Sequence, residues 1–212
     1  MVIDQSGAKH HILDCGERLI ASKGFVGVGL AEILSVAGVP KGSFYHYFGS
    51  KERFGEELLV RYLDQYLGRL DTLLKADGTP ARARLMRYWS YWNITQCGIA
   101  ADGCGEPRAG AKCLIVKLSA EVADISETMR LTLRDGTDRV VQRLARCLEE
   151  ARADGSVPPT LAADATALTL YELWLGASLL AKLRRDSSPF DHALRSTEWL
   201  LGSPTFENRE HA

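Results

Sequence analysis

Apolar residues recur three and four positions apart along almost the whole chain, and strand-like alternation is nearly absent. From about Ala8 to Lys23, Ile12, Leu13, Leu19 and Ile20 share one side, and Gly24 follows a lysine-bearing last turn. A helix with a glycine stop is predicted there. Past the short turn FVGVGL, Leu30, Ile33, Leu34 and Ala37 predict a second helix that stops at Gly38. Pro40 suits the first turn of a third, where its missing N–H costs nothing. Residues 8 to 48 therefore read as three short helices, the last two joined across AGVP in a helix-turn-helix layout.

Ser50 is a good N-cap for a fourth helix. Leu58, Leu59, Tyr62, Leu63, Tyr66, Leu67, Leu70, Leu73 and Leu74 make it one long amphipathic helix, broken by KADGTP. Another is expected from about Ala81 to Cys97, with Leu85, Tyr88, Trp89 and Trp92 on its apolar side. Residues 98–112 are rich in glycine and small side chains and read as a loop. CLIVKLSAEV reads as a buried helix, although its β-branched residues also suit a short strand. Ser126 caps a helix from about Glu127 to Ala153. The segment TLAADATALTLYELWLGASLLAKLRR is apolar nearly all round, as expected of a helix packed against both its own core and a partner subunit. A last helix runs from about Phe190 to Leu201. The predicted fold is all-α. A helix-turn-helix head (residues 1–50) is joined by a long helix to a sensing and dimerisation body (residues 51–212).

Composition narrows the function. The chain has 212 residues, 46% hydrophobic and 25% charged, with a net charge of −1. A nucleic-acid partner would have to be met by local rather than global positive charge. Residues 1–55 hold Lys9, Arg18, Lys23, Lys41, Lys51 and Arg53 against Asp4, Asp14, Glu17, Glu32 and Glu52, a small positive excess. No run of about 18 apolar residues predicts a membrane span, and the first residues lack the apolar core of a signal peptide. A cytoplasmic protein with reduced thiols is expected, and the five cysteines show no framework spacing.

The third helix and its flanks, VPKGSFYHYFGSK, carry more long polar side chains than packing requires. Gly42 would let the backbone approach a groove wall, and Ser43 can bond a base edge or a phosphate. Lys41 can pair with a phosphate or reach a guanine edge, and Tyr45 and His46 are long enough to touch the sugar-phosphate backbone. Lys51 stands at the start of the next helix, where a cation opposes the dipole, and a phosphate partner would explain it. Phe44 and Phe48 read as packing.

The stretch GFVGVGLAEILSVAGVPKGSFYHYFGSKERFGEELL, Gly24 to Leu59, resembles the DNA-binding head of the TetR family of transcriptional regulators. CLIVKLSAEVADISETMR and LYELWLGASLLAKL also resemble a narrower group, the repressors that respond to reactive electrophiles and control detoxification genes. The resemblance implies a homodimer of all-α subunits, a palindromic operator, repression, and a body that answers a small-molecule effector or reactive electrophile. Many members have Ser or Thr where this chain has Gly29, so no side-chain phosphate contact is expected there.

Cys113 opens CLIVKLSAEV between Lys112 and Lys117. A thiol near a helix start and near ammonium groups has a raised thiolate fraction, and a thiolate adds to electrophiles or oxidises. Its position matches the cysteine of the electrophile-responsive group; an inert core thiol is the alternative. Cys97 and Cys104 flank the loop and are candidate resolving thiols, whereas Cys15 and Cys147 read as packing. Cys97, Cys104 and Cys113 are too widely spaced for a zinc site, and no metal or cofactor is expected. Lys182, if inward, would need a partner such as Glu121 or Glu172, or would meet Cys113 or an acidic effector; the alternative is a lysine whose head reaches water. Trp89, Trp92, Tyr171 and Trp174 are candidates to line an effector pocket, or else core. Gly176, Ala177 and Ser178 would allow close approach of a partner helix, though the same run could serve the core. No Cys–His pairing suggests an enzyme, and a body of this size with a marked thiol argues against a purely architectural DNA binder.

Overall fold

Residues 5–97 and 113–202 are described by the structure, a computed structural model, and among them there are nine α-helices and no strand. They are α1 (Gln5–Lys23), α2 (Leu30–Ala37), α3 (Lys41–Phe48), α4 (Lys51–Leu74), α5 (Ala81–Cys97), α6 (Leu114–Ala123), α7 (Glu127–Ala153), α8 (Ala163–Arg184) and α9 (Ser188–Leu200). The predicted loop 98–112, with Cys104 and Lys112, lies outside the described residues, as does the side chain of Cys97.

The stops are local chemistry. Gly38 takes a left-handed conformation (φ 64°) and closes α2 on the carbonyls of Leu34 and Ser35. Pro40 is the N-cap of α3, one position earlier than the pattern implied: its φ of −69° and ψ of 151° are extended, and its carbonyl accepts from Ser43 N–H. Ser50 Oγ caps α4 by accepting from Arg53 N–H at 3.1 Å, and Ser126 Oγ caps α7 by accepting from Met129 N–H at 3.3 Å. CLIVKLSAEV resolves as a helix, because Leu114, Ile115, Leu118 and Val122 bury a single helical stripe.

The chain divides into two compact units, Met1–Leu67 with Asp102–Thr137, and Gly68–Ala101 with Asp138–Ala212. Both boundaries fall inside helices, α4 and α7. The first unit holds α1–α3, most of α4, all of α6 and the start of α7. Its core includes Ile12, Ile20, Ile33 and the aromatic cluster Phe44, Phe48 and Phe54, whose ring centroids lie 5.0–5.3 Å apart. Burial of each ring stabilises by about 1.5–3 kcal/mol. Gly16 sits under Phe54, where a Cβ would come within 2.3 Å of the ring.

The second unit is built on aromatic side chains of α5, α8 and α9. Trp89 stacks on Trp174 at 5.0 Å and 13°, and Phe190 packs on the same indole. α8 divides its apolar surface in two. Within one chain it buries Ala163, Ala167, Leu170, Tyr171, Trp174, Ala177 and Ser178, and leaves Leu168, Leu179, Leu180 and Leu183 exposed. Ala177 and Ser178 therefore serve the chain's own core, and only Gly176 of the small-residue trio faces outward. No described helix is long and apolar enough to cross a membrane.

Candidate nucleic-acid interface and thiol site

α3 is divided by its own periodicity. Phe44 and Phe48 point into the first unit's core, while Lys41, Gly42, Tyr45 and His46 are exposed and Ser43 is half-buried. The structure thus gathers these five polar or small candidates on one short helix. Lys41 Nζ lies 5.7 Å from the centre of the Tyr45 ring, and the His46 ring edges against Tyr47. A Cβ placed on Gly42 would meet no described atom within 4 Å, and its φ is not positive. Neither packing among the described residues nor backbone conformation calls for glycine there. A helical glycine costs about 0.5–1 kcal/mol relative to alanine.

Lys51 does not present itself with this set. Its ammonium donates to the Phe25 carbonyl at 2.8 Å and lies 4.4 Å from the centre of the Phe25 ring. Partial burial lowers its pKa, and the neighbouring Glu121 carboxylate opposes that shift. An internal acceptor thus accounts for the cation at the start of α4, and no phosphate is needed to explain it.

Glu121 had no marked place in the sequence beyond a possible pairing with Lys182. Its carboxylate instead accepts from the backbone N–H of Phe25 at 3.1 Å and of Val26 at 2.5 Å, across the turn between α1 and α2. Gly24 in that turn has φ 84°, and a Cβ on it would fall 2.7 Å from Glu121 Oε2. Ser126 Oγ also donates to Glu52 on α4, and Lys117 Nζ reaches the Ser22 carbonyl at 3.4 Å. These contacts join residues 74 to 96 positions apart, and no local pattern announces them.

Cys113 is the N-cap of α6 and is only 4% exposed. Its carbonyl accepts from Lys117 N–H at 3.0 Å, and the adjoining Leu114 N–H donates to Tyr62 Oη of α4 at 3.2 Å. The thiol thus stands at the positive end of the α6 dipole and inside the compact unit that contains α3. Cys15 and Cys147 are buried, as expected of packing thiols. Cys147 Sγ faces the Ala81 carbonyl, and burial pushes its pKa up to about 11.

The other effector candidates belong to the second unit. Lys182 is exposed in the last turn of α8, beside Arg184, where cations complement the helix C-terminus. It does not point inward, in line with the alternative of a lysine whose head reaches water. Trp89, Trp92, Tyr171 and Trp174 are all buried and pack ring on ring. The indole N–H of Trp92 donates to Ser178 Oγ, and that of Trp174 to Thr197 Oγ1, each at 2.9 Å. Core packing accounts for most of what these rings do. Trp89 Nε1, also buried, has no acceptor among the described residues.

Comparison with known proteins bears on the same two regions. The family model for bacterial regulatory proteins of the tetR family matches residues 12–58, and that for the tetracyclin repressor-like C-terminal domain matches residues 96–197. The HTH-type transcriptional repressor NemR of Escherichia coli (strain K12) is 38% identical over 196 residues, covering 92% of this chain and 94% of its own. The HTH-type transcriptional repressor DhaR of Mycobacterium sp. (strain GP1) is 30% identical over 186 residues, 88% of each chain. The solved structure of E. coli NemR in its reduced form superposes with a TM-score of 0.82 at 39% identity, over 93% of this chain and 98% of that one. That of another TetR/AcrR family member gives 0.80 at 44% identity, over 92% and 99%.

Proposed function

Because this chain belongs to the TetR family of bacterial regulatory proteins, we propose that it is a homodimeric transcriptional repressor whose Cys113 senses electrophiles. α3 enters the major groove of a palindromic operator, and modification of the thiol releases it. The observation that carries the DNA reading is the outward face of α3. It combines Lys41, Ser43, Tyr45 and His46 with a glycine that nothing among the described residues requires. A groove wall supplies the missing requirement, since Gly42 lets the backbone approach it. Two heads in one dimer would read half-sites about 34–36 Å apart.

The partner surface in this reading is the exposed apolar side of the second unit. Leu179, Leu180 and Leu183 on α8 and Trp199 on α9 are between 43% and 74% exposed. Such residues suit the buried centre of an interface rather than a free surface.

Cys113 supports the sensing arm by its position. A helix N-terminus stabilises an anionic sulfur, and relatives include a repressor solved in a reduced form. With a maleimide the step is a conjugate addition. The sulfur lone pair forms a C–S bond, the carbon–carbon π bond breaks, and the thiol proton ends on the adjacent carbon, with no oxidant and no leaving group. The effector lowers operator affinity by favouring the non-binding state. The protein acts by binding rather than turnover, and a bacterial regulator of this kind works in the cytoplasm beside its DNA.

A gel shift tests the proposal. DNA flanking the protein's own gene is bound by the reduced dimer and released on treatment with N-ethylmaleimide, while Cys113→Ser stays bound. A second reading is a reversible ligand in the aromatic body, favoured by the unpaired Trp89 Nε1. It predicts that Cys113→Ser keeps its response to the natural effector.

A further inference from the structure

The turn between α1 and α2 is held at one residue from two directions. Lys51 of α4 takes the carbonyl of Phe25, and Glu121 of α6 takes its N–H together with that of Val26. The Phe25 ring is buried against Gly55, where a Cβ would come within 2.5 Å of it. Gly24 leaves room for the Glu121 carboxylate. Helix α6 thus meets the head through Glu121 and, at the Ser22 carbonyl, through Lys117, and it carries Cys113 as its N-cap. Cys113 and Glu121 lie on this one helix. The two are eight residues apart, about 12 Å of helical rise.

We propose that Glu121 is the positioning residue through which α6 sets the head for operator binding, and that a modified Cys113 acts by making it let go. The inference rests on the thiol reading above for its trigger, but the grip itself is independent of that reading. Cys113 is flanked by the buried Leu114 and Ile115 and is itself nearly enclosed. An electrophile reaches it when the first turn of α6 opens locally, and the adduct then has no space to repack. α6 must shift to accommodate it. A hydrogen bond fails beyond about 3.5 Å, so a displacement of well under 1 Å along α6 loosens the 3.1 Å bond from Phe25 N–H. The turn that fixes α2, and with it α3, then loses one of its two holds. The other ties of that turn are the buried Val28 and the exposed Lys23–Glu32 ion pair, while Val26 is exposed and Gly29 caps α2 with no side chain.

The test uses the full-length dimer, an operator fragment from the gel shift, and N-ethylmaleimide as the probe. Anisotropy measures operator affinity of the reduced wild type, Glu121→Gln and Glu121→Ala. Hydrogen exchange follows the amides of residues 25 and 26, and α9 serves as the internal reference for intact folding. The expected result is about a tenfold loss of affinity in Glu121→Ala. Glu121→Gln is intermediate, because it keeps one carbonyl acceptor. Both variants exchange fast at residues 25 and 26, unchanged in α9. In the wild type the same two amides lose protection when N-ethylmaleimide is added. Wild-type affinity in both variants overturns the proposal, and so do amides that stay protected after the wild type has released DNA. If N-ethylmaleimide leaves wild-type binding intact, the thiol trigger falls on its own, and the reduced-state affinities still decide whether Glu121 sets the head.

Discussion

Lys51 Nζ donates to the Phe25 carbonyl at 2.8 Å, so the cation at the start of α4 is part of the head's internal framework. The exposed Lys41, at the start of α3, has no such role. The two lysines should therefore behave differently in salt titrations. Lys41→Ala removes one phosphate contact per protomer and lowers the slope of log affinity against log salt by about 1.8 for a dimer. Lys51→Ala leaves the slope unchanged and costs about 1–3 kcal/mol of stability, read by denaturant unfolding. A lowered slope in Lys51→Ala would return that residue to the DNA surface.

Gly42 separates stability from recognition. Gly42→Ala introduces a Cβ into open space. The melting temperature should hold or rise, by the equivalent of about 0.5–1 kcal/mol. Operator binding should weaken by about 1–3 kcal/mol, the scale of one mismatched base pair. A variant that is stabilised and still binds fully would show that the groove does not approach this position.

Thiol reactivity should be site-selective. Cys147 is buried with its pKa pushed up to about 11, so at pH 7 only about one part in ten thousand is thiolate. In the folded protein N-ethylmaleimide should label the peptide containing Cys113 well before that containing Cys147, and unfolding in guanidinium should abolish the difference. Peptide mass spectrometry over a time course reads both. Equal rates in the native state would remove the special status of Cys113.

Acid should loosen the second unit through Asp154. Its carboxylate accepts from Ala81 N–H at 2.7 Å and Ser156 N–H at 2.9 Å. The hydrogen bonds from Ser156 and Ala81 hold its pKa below the usual carboxylate range. Between the folded and unfolded values the unfolded chain binds more protons, so the contribution is complete above about pH 4 and is lost as pH falls through the folded value. The group is exposed, which keeps the effect within about 1 kcal/mol. Asp154→Asn should flatten the fall in melting temperature between pH 5 and about pH 2, and parallel curves would count against this role.

The sequence was most legible where structure is local. The glycine at residue 38, the serine caps at residues 50 and 126, and the stripes of α4 and α6 all act over one or two turns. The alternation of buried Phe44 and Phe48 with exposed Lys41, Tyr45 and His46 is a property of helical pitch. The partner of Lys51 was not legible because a cation at a helix start admits two, a phosphate outside or a carbonyl inside, and only the fold brings Phe25 within reach. The tryptophans stayed ambiguous for a similar reason, since pocket walls and cores draw on the same residue types.

The helices, the three-helix head and the outward polar face of α3 were legible from the chain alone, because helical periodicity and caps are written within a few residues of where they act. Tertiary structure alone decided that Glu121 holds the amides of Phe25 and Val26, that α8 turns Ala177 and Ser178 inward and its leucines out, and that α6 with Cys113 is compacted with the head. Each of those depends on which distant segments close on one another. A lone carboxylate on an apolar helix carries no mark of the backbone it will meet 95 residues away.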